Sequence, residues 1–310
     1  MPDRQLMGFS YLTACMKNYY IGYDLGSSSL KTALVEAQTG KAVAVGKTPE
    51  TEMQIQAPQA GWAEQDPGLW WRCVCEGTRK LLHKTGVPPS SIRGIGIAYQ
   101  MHGLVPLHAS GQVVRPAIIW CDSRAVATGT VAAREIGQEA CRKRLLNEPG
   151  NFTGSKLRWM QQHEPGLFEQ IHTLLLPGDY IAWRFSGARQ TTASGLSEGT
   201  LWDFAGAEPA YWLLEHWGIS RDLLPEVVPT FGLQARVSGE AARATGLAEG
   251  TPVLYRAGDQ PNNAFTLQVL EPGDLAATAG TSGVLYGVTD RQDTPELKKF
   301  NHFLHVNHLG

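Results

Sequence analysis

Two short segments of the 310-residue chain have residue types and spacing suited to phosphate chemistry. Asp24-Leu25-Gly26-Ser27-Ser28-Ser29, with Lys31 close behind, is one, and Gly280-Thr281-Ser282-Gly283 is the other. Each reads as a strand end, a turn of small and hydroxyl residues, and a second strand. Glycines let backbone N–H groups approach phosphate oxygens closely, and hydroxyls add donors. A carboxylate such as Asp24 at the strand end could hold a water shell around Mg2+. Either turn alone is equally an ordinary hairpin; two of them opening successive half-patterns favour a ligand role.

Asp259 stands in Arg256-Ala257-Gly258-Asp259-Gln260-Pro261-Asn262-Asn263, after a strand and a glycine. That puts a carboxylate at a sheet edge, where α/β proteins place ligands, and a helix N-cap role is compatible with it. Gln100-Met101-His102-Gly103 and Trp120-Cys121-Asp122-Ser123-Arg124 also follow strands. Taken singly, a histidine such as His102 is more often structural than functional, and Arg124 is as readily a solvated first-turn residue. Other motifs fail on inspection. Gly26 to Thr32 lacks the glycine before lysine of a P-loop, and a strand follows it. Gly94-Ile95-Gly96 lacks the third glycine of a dinucleotide fingerprint. Cys73 and Cys75 point to different faces of one helix, and His302, His305 and His308 have no acidic partner nearby.

The elements that must position these residues can be read from local pattern. Three strands open the chain, YYIGYDLG, LKTALVEA and AVAVGKTPE, joined by tight turns into an antiparallel meander. A helix follows, with Asp66 as N-cap, Pro67 at its first position and Gly86 as its stop. SIRGIGIAYQMHG is a buried strand running into a loop. The segment after Asp122 is helical to about Glu135, and LLLPGDYIAWRFSG is a strand leading into a helix. This order implies an α/β fold with helices covering a mixed sheet. Near Gly250 the opening pattern restarts, with TPVLYRAGDQ and LAATAGTSGVLYGVTD as its strands.

Composition excludes several classes. A net charge of −2 with 18% charged residues offers no broad attraction to nucleic acid or to an anionic membrane. No apolar run approaches the roughly 18 residues of a membrane span. Five cysteines, irregularly spaced, do not form a disulfide framework, so free thiols and a cytoplasmic setting are expected. Residues 1–15 make a poor signal peptide and are expected to be an extension or mis-started segment, with the folded protein beginning near Met16.

Together these segments resemble the FGGY family of carbohydrate kinases, and most closely its xylulose-phosphorylating members. The resemblance is carried, in order, by YIGYDLGSSSLK (20–31), WAEQDPGLWW (62–71), GIAYQMHG (96–103), PAIIWCDSR (116–124), LLLPGDYIAWRFSG (174–187), YRAGDQPNNA (255–264) and ATAGTSGV (277–284). It implies an actin-like, hexokinase-like (ribonuclease H-like) ATPase fold, with ATP and Mg2+ as cofactors and a small sugar, D-xylulose, as substrate. Asp24 would organise Mg2+ through water, while Gly26, Ser27 and Ser28, with Lys31, would serve the first phosphate loop. Gly280, Thr281, Ser282 and Gly283 would form the second. Met101 and His102 would line the sugar site, with Asp122 and Arg124 near it. Asp259 would be the general base, with Asn262 and Asn263 as sugar contacts. Trp62, Glu64 and Asp66 would fix the first helix. Ribulose, gluconate and glycerol are the alternative acceptors within the family; a non-catalytic sugar-binding remnant and an actin-like or chaperone-like ATPase are the alternatives outside it.

The sequence departs from the family pattern at its end. Members carry a complete second domain with a glycine-rich adenosine motif, and no GGGA-like stretch follows Gly283. Residues 16–250 are therefore expected to form the N-terminal sugar-binding domain and 251–310 the shortened start of a nucleotide-binding domain. Weak or no kinase activity is expected from this chain alone. Unpaired apolar strand edges would make homodimerisation or aggregation a hazard.

Overall fold

The computed structural model describes residues 17–278, 283–292 and 299–308. The expected N-terminal extension and Gly280, Thr281 and Ser282 lie outside the described residues. Strands β1 (Tyr19–Leu25), β2 (Leu30–Glu36) and β3 (Ala42–Thr48) form the predicted meander, antiparallel throughout. On the other side of β1 lies β4 (Ile92–Tyr99), parallel to it. The sheet is completed by β5 (Phe231–Arg236) and β6 (Pro252–Gly258), with β6 parallel to β4 and β5 antiparallel at the edge. The order is β5-β6-β4-β1-β2-β3. A meander followed by parallel strands, with helices on the sheet, is the actin-like arrangement expected from the sequence.

Alternation along β1 and β2 decides which face is covered. Ile21, Tyr23, Leu25, Leu30 and Leu34 are buried, whereas Tyr20 and Lys31 are exposed and Asp24 is half-buried. The buried face is covered by α1 (Pro67–Thr85), which packs on β2 and β3, and by a later helix Pro177–Ser186, which packs on β4 and β6. Asp66 caps α1 by accepting from Gly68 N at 2.8 Å, Pro67 takes the first position, and Gly86 closes it at φ +64° with its N–H on Leu82 O. Buried Trp70, Val74, Thr78 and Leu81 recur at helical spacing and form the stripe that faces the sheet.

Between β4 and β5 the chain builds a second apolar cluster. It contains α2 (Val126–Ile136), starting where the sequence predicted a helix, and α3 (Thr153–His163). The helix Pro177–Ser186 is α4, and α5 (Ala193–Glu198) and α6 (Gly239–Thr245) follow it. Leu157, Met160, Leu174, Leu213 and Trp217 are its centre. No helix among the described residues is long and apolar enough to cross a membrane. The four described cysteines are free thiols, three buried and Cys121 exposed.

One boundary differs from expectation. The sequence placed residues 251 onward in a second unit, yet β6 is hydrogen-bonded between β4 and β5 in the first sheet. A strand's residue pattern records its faces and not its neighbours, so local pattern could not assign it to a sheet. Among the described residues after β6, the strands are those of the hairpin β7 (Leu275–Thr278) and β8 (Val284–Gly287). That hairpin pairs with no further strand among the described residues, and Leu275 and Leu285 stand exposed on it.

Thermal unfolding separates the cap of α1 from its buried stripe. Asp66→Ala removes a single cap and should cost about 1 kcal/mol. Trp70→Ala empties the centre of the stripe and should cost about 3–5 kcal/mol.

Candidate active site

The three parallel strands end in one row. Leu25 of β1 is in register with Tyr99 of β4, and Tyr99 with Gly258 of β6. At nearly 5 Å between neighbouring strands, the chains leaving β1 and β6 are about 10 Å apart, with the loop from β4 between them. Asp24 lies just before this row and Asp259 just after it. Candidate residues some 235 positions apart in sequence are thus brought to one sheet end by hydrogen-bonded register.

On the β1 side, residues 26–29 form a tight connection in which Gly26 N donates to Ser29 O at 3.0 Å. Asp24 and Lys31, cross-strand partners on the open face, form an ion pair at 3.0 Å. Sequence reasoning missed Gln65, a buried residue just before α1. Its Nε2 donates to Ser27 O at 2.6 Å, and its Oε1 accepts from Trp70 Nε1 and Gln100 Nε2, each at 3.1 Å. Gln100 N in turn donates to Leu25 O at 2.7 Å. The first loop, the start of α1 and the loop from β4 therefore form one hydrogen-bonded unit. A lone glutamine carries no periodicity, and only its adjacency to the Asp66 cap could have drawn attention to it.

The loop from β4 presents Met101 and His102. His102 has φ +61°, a left-handed conformation that costs a non-glycine residue about 1 kcal/mol. Three contacts hold it there. Its Nδ1 meets Glu198 O at 2.8 Å, and because a carbonyl only accepts, Nδ1 carries the hydrogen. Lys156 of α3 donates to His102 O at 2.7 Å and to Ile119 O at 3.1 Å. The ring packs against Phe152 and Phe303, centroids 4.7 and 5.4 Å away. Burial, and then the Lys156 charge, lower the imidazole pKa to about 3, so His102 is neutral and its Nε2 keeps a lone pair. Burial likewise lowers Lys156 to about 7.

Asp259 opens α7 (Asp259–Thr266), and its Oδ1 accepts from Gln260 N at 2.8 Å. Burial raises its carboxyl to about 6, with the Asp24 charge adding to the effect. Asn262 lies one turn along the helix, where its Oδ1 accepts from Tyr255 OH at 3.2 Å, while Asn263 is exposed. Gly258 is required by close approach: a Cβ there would collide with Glu198 Oε2 and lie 2.5 Å from Met101 Cγ. Glu198, buried at the end of α5, was not anticipated from sequence.

The structure puts Asp122 and Arg124 beneath the site. Asp122 is fully buried, accepting from Ala63 N at 2.6 Å and pairing with Arg124 at 2.7 Å. Arg124 also pairs with Glu64 at 2.6 Å and lies 3.7 Å over the Trp62 ring, and its Nη1 has no hydrogen-bond partner. Arg124 is thus not a solvated first-turn residue. Glu64 and Trp62 hold this arginine, with Arg115 as a second partner of Glu64, and only Asp66 caps α1.

Chemically, the row carries the Asp259 carboxylate and the neutral His102 imidazole after β6 and β4, and the Gly26–Ser29 turn beside the partly exposed Asp24 carboxylate after β1. The Asp24 carboxylate is a single, partly exposed ligand at the sheet end, which suits a hydrated Mg2+ better than a stripped ion. Among the described residues no group of three or more His, Cys, Asp or Glu could hold a metal directly. His305 is engaged by Tyr286 OH and Val269 O. Gly283 is exposed beyond the hairpin turn.

The raised carboxyl of Asp259 fixes a sign. Its folded pKa of about 6 exceeds the ordinary 3.8, so keeping it ionised costs folding free energy above about pH 6, and that cost is absent below about pH 4. Asp259→Asn should therefore stabilise the fold by about 1–3 kcal/mol at pH 7–8 and by nothing measurable near pH 4. Denaturant unfolding at the two pH values checks this.

Comparison with known proteins agrees with this geometry. The N-terminal domain of the FGGY family of carbohydrate kinases is matched over residues 19–266. A xylulose kinase from Escherichia coli K12 is 34% identical over 87% of this chain and 54% of its own length. An L-xylulose/3-keto-L-gulonate kinase from the same organism is 31% identical over 88% of this chain and 55% of its own. The crystal structure of xylulose kinase from Rhodospirillum rubrum superposes with a TM-score of 0.82 at 29% identity, covering 90% of this chain and 57% of that one. The chain thus spans a little over half the length of the relatives it matches. With a family match covering most of the chain, and a relative 34% identical over 87% of it, the chain belongs to the FGGY family of carbohydrate kinases.

Proposed function

We propose that this chain forms the sugar-binding side of an ATP-dependent kinase that converts D-xylulose to D-xylulose 5-phosphate. The observation that carries the reading is Asp259, a carboxylate with a raised pKa at the end of β6, directly after Gly258, which packs on Met101, and within electrostatic reach of Asp24. A sugar hydroxyl is a weak nucleophile. Asp259 takes its proton as the oxygen forms a bond to the γ-phosphorus and the bond to ADP breaks, a step worth roughly 10²–10⁴-fold. His102 Nε2, neutral, accepts from a second sugar hydroxyl. Asn262 and Asn263 extend the acceptor side from α7, and Asp122 and Arg124 act by holding the chain that leads into α2.

On the donor side, Gly26, Ser27 and Ser28 receive phosphate oxygens, Lys31 adds a cation, and Gly280, Thr281, Ser282 and Gly283 form the opposite loop. Bound Mg2+, held by Asp24 through water, would neutralise charge on the phosphates. Lys31 must then turn from Asp24 toward phosphate. A second reading is sugar binding without transfer, in which the same Met101–His102 and Asp259 surface takes the sugar.

ADP release with Mg-ATP and D-xylulose, compared with L-xylulose, L-ribulose, gluconate, glycerol and no sugar, separates the readings. Stimulation by D-xylulose that disappears in Asp259→Asn and falls below about pH 6 supports the kinase. Saturable D-xylulose binding without ADP release supports the second reading, and sugar-independent ATP turnover overturns both.

A further inference from the structure

Glu198 is buried where the two halves of the acceptor site touch. Its backbone carbonyl takes the His102 Nδ1 hydrogen at 2.8 Å, and its Oε1 lies 3.4 Å from His102 N. On the opposite side its Oε2 abuts the Cα of Gly258, which also contacts Met101 and directly precedes Asp259. Among the described residues no Lys or Arg forms an ion pair with it. Lys156 Nζ is engaged by the carbonyls of His102 and Ile119, and Arg256 by Asp179 at 2.9 Å. A buried carboxyl without a counter-ion is costly to keep unless it serves as the neutral acid or is replaced.

We propose that Glu198 is a positioning residue for Asp259, a wedge between the Met101–His102 turn and Gly258 that holds base and imidazole in one arrangement. The inference rests on the reading of Asp259 as the acceptor-side base. Glu198 works as the uncharged acid: burial first, then the Asp259 charge, hold its proton well above the ordinary carboxylate range. The groups facing it are Tyr99 of β4, His102, Lys156 of α3, Asp179 of α4 and Asp259 of α7, with Arg256 of β6 behind them on Asp179. Ionised, Glu198 would set a second negative charge beside Asp259 in a poorly solvated pocket. Repulsion would then spread the β6 end from the His102 turn, since the glycine between them leaves no slack.

The test reads backbone hydrogen-exchange protection of the whole chain, without sugar or nucleotide, in wild type, E198Q and E198A. Protection at 101–103 and 259–263 should fall about tenfold or more in E198A, leave β2 unchanged, and stay within a few-fold of wild type in E198Q. When the pH is raised far enough to ionise Glu198, wild type should lose protection at both segments and E198Q should not. Three results overturn the proposal: unchanged protection at these segments in E198A, an equal loss across the sheet, or an E198Q that loosens with pH as wild type does. If E198A does not fold, the pH comparison of wild type and E198Q decides. Failure of the base assignment would appear separately, in the ADP-release and binding assays of Asp259→Asn.

Discussion

The register of β1, β4 and β6 is the constraint from which the rest of this molecule follows. Three parallel strands end level at Leu25, Tyr99 and Gly258, so the loops after them emerge side by side. Parallel strands need long crossovers, and here the crossovers carry α1 on one side and the whole second apolar cluster on the other. The hydrogen-bond ladder sets positions along the strands to a fraction of a residue, which is why carboxylates from opposite ends of the domain come to one sheet end.

Buried polar groups then convert this coarse alignment into a defined site. Gln65 ties the first loop to the second, Lys156 fixes the His102 carbonyl, and Arg124 joins Glu64 to Asp122 under the helix that follows. Each of these groups is desolvated, so each is stable only in the arrangement that satisfies it. Removing one partner leaves the other buried and unpaired, at a cost of about 3–5 kcal/mol for a charged pair. The positive φ of His102 is stored strain of the same kind, tolerated because the contacts around it over-determine the turn.

Local chemistry was legible where it depends on neighbours in sequence. The meander, the Asp66–Pro67 start and Gly86 stop of α1, the strand before Gln100 and the strand before Asp259 were all readable, because period, capping and turn preference act over a few residues. Asp24, Met101, His102 and Asp259 could be singled out as strand-end residues, and the family resemblance supplied their roles. Glu198 and Gln65 could not, since nothing in SGLSEGT or AEQDP distinguishes a buried polar side chain from a solvated one.

Tertiary structure alone decided what lies next to what. Residue type and spacing determined which segments are strands, which face of each is apolar, and which polar residues sit at strand ends. They did not determine that β6 belongs to the first sheet, that Arg124 is buried on Trp62, or that Gly258 must lack a side chain to admit Glu198 and Met101. The physical reason is one of range. Secondary structure is selected by interactions spanning a few residues, whereas burial, desolvation and pKa are set by groups that packing brings from far along the chain.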